Sequence, residues 1–139
     1  MVPNALFSHN AVLQQGQELP VWGTAREGEK ITVSVAGAEE STTAKDGRWM
    51  VRLPKRKPGG PHVLTIRGDN TVTATNVVVG EVWLCSGQSN MEKNMGPRGG
   101  QVPVLNWQKE AAAADLPGIR QFLVPREGAD NPRDSLGGS

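Results

Sequence analysis

Lys30-Ile31-Thr32-Val33-Ser34-Val35-Ala36 is the stretch on which the fold turns. Ile31, Val33 and Val35 alternate with Thr32 and Ser34, and a period of two over this length marks a strand with one buried face. The same kind of segment recurs on either side. Leu19 to Thr24 is a short apolar run holding Val21 and Trp22. Asp46-Gly47 separates Thr42–Lys45 from Trp49, Val51 and Leu53. That pair signals a hairpin, because tight turns need positive φ and glycine adopts it without steric cost. The turn Pro58-Gly59-Gly60-Pro61 introduces a strand with Val63, Leu64 and Ile66, and a further strand is expected over Asn70–Val79, with Val72, Ala74 and Asn76 on one face. Short strands punctuated by turns, with no helical pattern between them, predict an antiparallel β-sandwich over residues 1–79.

After Gly80 the pattern changes. Val82, Trp83, Leu84 and Cys85 are consecutive and apolar within Glu81–Ser86. A strand without alternation is expected to be buried on both faces, as in a central parallel sheet. Gly87-Gln88-Ser89-Asn90-Met91 follows at once. Pro97 to Pro103 reads as loop, Trp107 to Asp115 as an alanine-rich helix ended by Pro117-Gly118, and Ile119 to Val124 as a second buried strand. The tail from Arg126 to Ser139 reads as loop. Strand, turn, helix and strand open an α/β unit. A doubly buried strand needs neighbours and covering helices that residues 80–139 do not supply, so this second domain is expected to be incomplete.

Composition narrows the function. Fifteen Lys and Arg against fourteen Asp and Glu leave a formal charge of +1, which argues against nucleic acid or an anionic membrane surface as partner. One cysteine permits no internal disulfide and no thiolate zinc cluster. No apolar run approaches the roughly 18–20 residues of a membrane span. Met1-Val2-Pro3-Asn4 lacks the basic and apolar regions of a secretion signal, so either the protein stays inside the cell or its start lies upstream.

Ser89 is the main candidate for chemistry. It follows a predicted strand in a Gly-x-Ser context, and a sharp turn there lifts its hydroxyl above the carboxyl end of the sheet. Gly87 allows the tight turn, and the amides from Ser89 onward point where an oxyanion could develop. The alternative is that Ser89 merely caps a helix. A serine nucleophile also needs a base. His9 and His62, the two histidines, both fall in the predicted sandwich, one reading as a turn residue and the other as a surface residue at a strand entrance. The base for Ser89 is therefore expected beyond Ser139. Cys85 reads as a small buried hydrophobe, and Trp22, Trp49 and Trp83 as core residues rather than a sugar-stacking surface. Lys55-Arg56-Lys57 reads as a solvated loop. Glu81 and Glu92 flank the turn without an assignable role.

Four blocks, in order, carry a family resemblance: Leu6–Gln14, Pro20-Val21-Trp22-Gly23, Asp46-Gly47-Arg48-Trp49, and most specifically Gly80-Glu81-Val82-Trp83-Leu84-Cys85-Ser86-Gly87-Gln88-Ser89-Asn90-Met91. Together they resemble the sialate O-acetylesterase family of carbohydrate esterases, within the SGNH hydrolases. One departure is Asn10-Ala11, where that family usually has a single Met. The resemblance implies an N-terminal antiparallel β-sandwich followed by the truncated start of an α/β/α, flavodoxin-like hydrolase domain. It implies removal of O-acetyl groups from sialic acid or other acetylated glycans, an acetylated sugar as partner, and no metal or cofactor. Ser89 would be the nucleophile, its own N–H would donate to the oxyanion, and Gly87, Gln88 and Asn90 would support the turn. The family's later oxyanion residues and its base have no counterpart in this sequence, and Asn90 belongs to the first block rather than to the later oxyanion Asn. The resemblance also suggests export to the periplasm or outside the cell. The competing expectation is a non-catalytic sandwich that binds glycan or a partner domain. Exposure of Trp22 or Trp49 beside a groove would favour it, and burial of both would count against it.

Overall fold

Alternation in the sequence becomes pairing in space. The computed structural model describes residues 1–126, 128, 130, 131 and 133. Its strands are β1 (Val2–Pro3), β2 (Val12–Gln14), β3 (Leu19–Thr24), β4 (Lys30–Val35), β5 (Ala38–Thr43), β6 (Arg48–Leu53), β7 (Gly59–Arg67) and β8 (Thr71–Gly80). They form two sheets, one of three strands in the order β1-β3-β6 and one of five in the order β2-β8-β7-β4-β5. Val21, Trp49, Val51 and Leu53 of the smaller sheet join Ile31, Val33, Leu64, Ile66 and Val77 of the larger in one buried cluster. Each fully buried aliphatic side chain contributes about 1.5–3 kcal/mol relative to exposure. The strand-rich part therefore carries its own core.

Three details differ from simple alternation. The Asp46-Gly47 turn forms as expected, with φ of 53° and 75°, and Lys45 and Arg48 exchange N–H···O bonds of 2.9 and 3.0 Å. Its arms then part: β5 pairs with β4 and β6 with β3, so the turn carries the chain from one sheet to the other. In β8 the expected face containing Val72, Ala74 and Asn76 is broken at Asn76. There φ is +55°, and the buried set continues with Val77 and Val79. One left-handed residue adds a step on β8 against β7, so the alternation changes phase. Finally, β2 and β8 run parallel, in contrast to the other pairs and to the all-antiparallel expectation.

The described chain divides into a strand-rich unit that includes Met1–Val82 and a second unit, Trp83–Arg120. Neither of the two expected buried strands in the C-terminal part is present. Glu81–Ser86 and Ile119–Val124 are extended or irregular, without sheet partners among the described residues. Trp83 is 82% exposed and Leu84 92%. Trp83 is thus not a core residue, and Cys85 is exposed rather than a buried hydrophobe. The cause is the one that makes doubly buried strands demanding. Their backbone groups need pairing on both edges and their side chains need cover on both faces, and no described segment provides either.

The helix expected over Trp107–Asp115 forms as α1 (Trp107–Ala112) and stops early. Pro117 disfavours helical backbone at Leu116, and the chain turns instead, with Leu116 N–H on the Ala114 carbonyl (3.0 Å) and Ile119 N–H on that of Leu116 (2.8 Å). Pro97–Pro103 is loop, with a single bridge between Arg98 and Gln101. Of the tail expected as loop, residues 127, 129, 132 and 134–139 lie outside the described residues.

Candidate active site

Gly87 to Glu92 form the turn that carries Ser89. At Gly87 an added Cβ would lie 2.8 Å from Cγ of the exposed Met91 side chain, so a larger residue there must push that side chain aside. Gln88 is extended (φ −100°, ψ −152°) and occupies the capping position of a 3₁₀ helix, Ser89–Glu92. The Gln88 carbonyl accepts the Met91 N–H at 3.0 Å, and the Asn90 carbonyl accepts that of Lys93 at 3.3 Å. The first amides of such a turn have no acceptor within it, which leaves the Ser89 and Asn90 N–H groups available to an incoming oxygen.

Ser89 itself is exposed. It does not sit at the capping position, and Gln88, which does, makes no side-chain capping bond. Gln88 and Asn90 are likewise exposed. The hydroxyl is neither sealed in a core nor held by a pairing of its segment into either sheet.

His9 and His62 both belong to the strand-rich unit, and Trp83–Arg120 contains no histidine. His9 Nδ1 accepts the Thr75 N–H at 3.1 Å and lies 2.8 Å from the Thr75 hydroxyl. His9 thus serves the link between the Asn10 turn and β8. His62 lies within β7, opposite Val77. Among the described residues no group of three His, Cys, Asp or Glu side chains is arranged to hold a metal ion. No helix among them is long and apolar enough to cross a membrane.

Glu81, which sequence alone left without a role, has defined partners. Gln14 Nε2 donates to its Oε2 at 3.0 Å, and Gln15 Nε2 donates to its Oε1. Gln14 Oε1 accepts the Val82 N–H at 2.7 Å. The bond from Gln14 first, then that from Gln15, holds the Glu81 carboxyl below its ordinary range. Local patterning could not reveal this contact between residues 66 to 68 positions apart. The one available signal was that both partners lie in, or next to, blocks marked by the family resemblance.

The tryptophans do not form a stacking platform in the strand-rich unit. Trp49 is buried, and its Nε1–H donates to the Thr24 carbonyl at 3.2 Å. Trp22 is half-buried and meets Phe7 edge-on, with ring centroids 4.7 Å apart.

Comparison with known proteins agrees with the motif blocks. The chain is 31% identical over 133 residues to sialate O-acetylesterase of Rattus norvegicus, covering 85% of this chain and 23% of that protein. It is 38% identical over 84 residues to sialate O-acetylesterase of Homo sapiens, covering 52% of this chain and 16% of that protein. A crystal structure of a carbohydrate acetylesterase from Xanthomonas citri superposes with a TM-score of 0.85 at 37% identity, covering 99% of this chain and 32% of the other. No family model matches. The chain thus spans about a quarter of the length of the curated relatives it matches.

Proposed function

The chain belongs to the sialate O-acetylesterase family, and from that membership we propose that it supplies the nucleophile segment of a serine carbohydrate esterase. The architecture we assign is a β-sandwich over residues 1–79, formed by the two sheets. The opening of an SGNH-type α/β domain then follows from Gly80. Exposed apolar residues after β8, among them Trp83, Leu84, Leu105 and Leu123, support the second assignment, because a complete α/β domain buries such side chains.

The observation that carries the reading is the placement of Ser89, exposed at the start of a tight turn with its own and the next amide unengaged within it. In the proposed reaction a base takes the Ser89 Oγ proton as Oγ attacks the acetyl carbonyl. The Ser89 and Asn90 N–H groups stabilise the oxyanion, with Gly87 and Gln88 shaping the turn. The C–O bond to the sugar breaks, the sugar oxygen receives the proton, and acetyl-Ser89 forms. Water then releases acetate and restores the hydroxyl. An O-acetylated sugar is the substrate.

The test is acetate release from O-acetylated sugars by the protein encoded in the complete reading frame. Ser89→Ala is expected to lower it by at least about a thousandfold. Undiminished release would refute the assignment. The competing reading, a glycan-binding sandwich without catalysis, draws no support from Trp49, which is buried, or from Trp22, which is packed on Phe7.

A further inference from the structure

We propose that Gln14 is a positioning residue: its side-chain amide replaces one rung of the β2–β8 ladder and so fixes where the Ser89 segment leaves the sheet. The register shows the replacement. Val12, Leu13 and Gln14 pair in parallel with Val78, Val79 and Gly80. The Val78 N–H bonds the Ala11 carbonyl at 3.0 Å, and the Gln15 N–H bonds the Gly80 carbonyl at 2.8 Å. A parallel ladder repeats every two residues on each strand. From Val78 to Ala11, two such steps pair the Val82 N–H with the Gln15 carbonyl. That bond is not made. The Gln14 carboxamide stands between the two groups instead, taking the Val82 N–H on Oε1 at 2.7 Å and donating from Nε2 to the Gln15 carbonyl at 3.2 Å.

The remaining Nε2 hydrogen goes to Glu81 Oε2 at 3.0 Å, and Gln15 Nε2 holds the other carboxylate oxygen. Both Nε2 hydrogens and Oε1 of Gln14 are therefore used, and the orientation of the amide is determined. Reversing it would set Nε2 against the Val82 N–H and Oε1 against Glu81. An inserted amide widens the ladder by one hydrogen-bonded group. It ends the strand at Gly80 while still gripping the next two residues. The chain thus leaves β8 from a fixed point at Val82, seven positions before Ser89.

The bearing of this device on catalysis rests on the reading of Ser89 as nucleophile, whereas its existence does not. The test is amide hydrogen exchange and ¹⁵N relaxation on the 139-residue chain. In Gln14→Ala, protection of the Val82 amide is expected to fall about two- to tenfold, the worth of one net hydrogen bond. Fast motion should appear over residues 81–84, while Val33 and Leu64 in the core stay protected. In Glu81→Gln the side chain keeps an oxygen for the Gln14 Nε2, and Val82 protection should persist. Unchanged Val82 protection in Gln14→Ala would overturn the proposal. Equal loss in Glu81→Gln would also overturn it, since the carboxylate rather than the inserted amide would then hold the segment. Neither outcome depends on esterase activity.

Discussion

Asn76 Nδ2 donates to Asn10 Oδ1 at 2.7 Å, and both residues have left-handed backbones, with φ of +55° and +67°. The two sit where the chain most needs irregular geometry. Asn76 changes the phase of β8, and Asn10 turns the chain into β2, its N–H bonding the Thr75 carbonyl at 3.0 Å. Asparagine tolerates this region better than other residues with a Cβ, because its short polar side chain can bond locally. The pair therefore fixes the offset at which β2 meets β8.

Asn76→Ala should destabilise the fold by about 1–2 kcal/mol, combining a lost hydrogen bond with a left-handed alanine. Asn76→Gly should cost less, since glycine carries no left-handed penalty. Urea denaturation of the three proteins measures the order. A stability for Asn76→Ala equal to wild type would show that the phase change does not depend on this residue.

Gly23 presents a harder constraint. A Cβ there would lie 2.1 Å from the Val2 carbonyl oxygen and 2.7 Å from Pro3 Cα, both backbone atoms of β1. Pro3 is its direct partner in the antiparallel pair. Gly23→Ala should therefore separate β1 from β3 and cost about 1–3 kcal/mol, the range for overpacking. Exchange of the Asn4 amide, which bonds the Trp22 carbonyl at 3.0 Å, reports the separation directly. Unaltered Asn4 protection would contradict it.

These contacts mark the boundary of what the sequence discloses. Alternation over Lys30–Val35 and Arg48–Leu53 located β4 and β6, because one buried face leaves a period of two in the chain itself. Asp46-Gly47 located its turn for an equally local reason. Yet the sheet to which each arm belongs depends on residues far away, so the passage from β5 in one sheet to β6 in the other left no local mark. The very short β1 and β2 carry too few residues to show a period. Around Ser89 the motif marked the segment that forms the turn. It did not disclose Gln14 and Gln15 on Glu81, since that contact exists only once β2 lies beside β8. The apolar run Val82–Cys85 shows the opposite failure. Composition can call for a buried strand, but burial requires partners, and the described residues offer none.

The Glu81 carboxyl should titrate below its ordinary value, since the ionised form accepts bonds from Gln14 and Gln15. A lowered carboxylate pKa contributes stability that is present above the unfolded-state value and lost as pH falls through the folded-state value. Acidification should accordingly loosen the Glu81 grip in that window, with little effect at neutral pH. Side-chain carboxyl NMR gives the midpoint, and Gln14→Ala should move it upward by removing the larger cause. A midpoint that stays in place in Gln14→Ala would assign the shift to Gln15 instead.

Ser89 and Gly87 should respond differently to alanine, although they are two positions apart. The Ser89 side chain is exposed and does not cap the turn, so Ser89→Ala should leave stability within about 0.5 kcal/mol of wild type. Gly87→Ala must displace Met91 Cγ from 2.8 Å, and it should shift the Ser89 and Asn90 amide resonances while leaving those of β4 and β7 in place. Catalysis supplies the second contrast. With no imidazole in Trp83–Arg120, the 139-residue chain should hydrolyse p-nitrophenyl acetate slowly, and Ser89→Ala should do so at about the same rate. A rate abolished by Ser89→Ala would mean that a base within these 139 residues activates the hydroxyl. His9 and His62 would then have to be tested as that base.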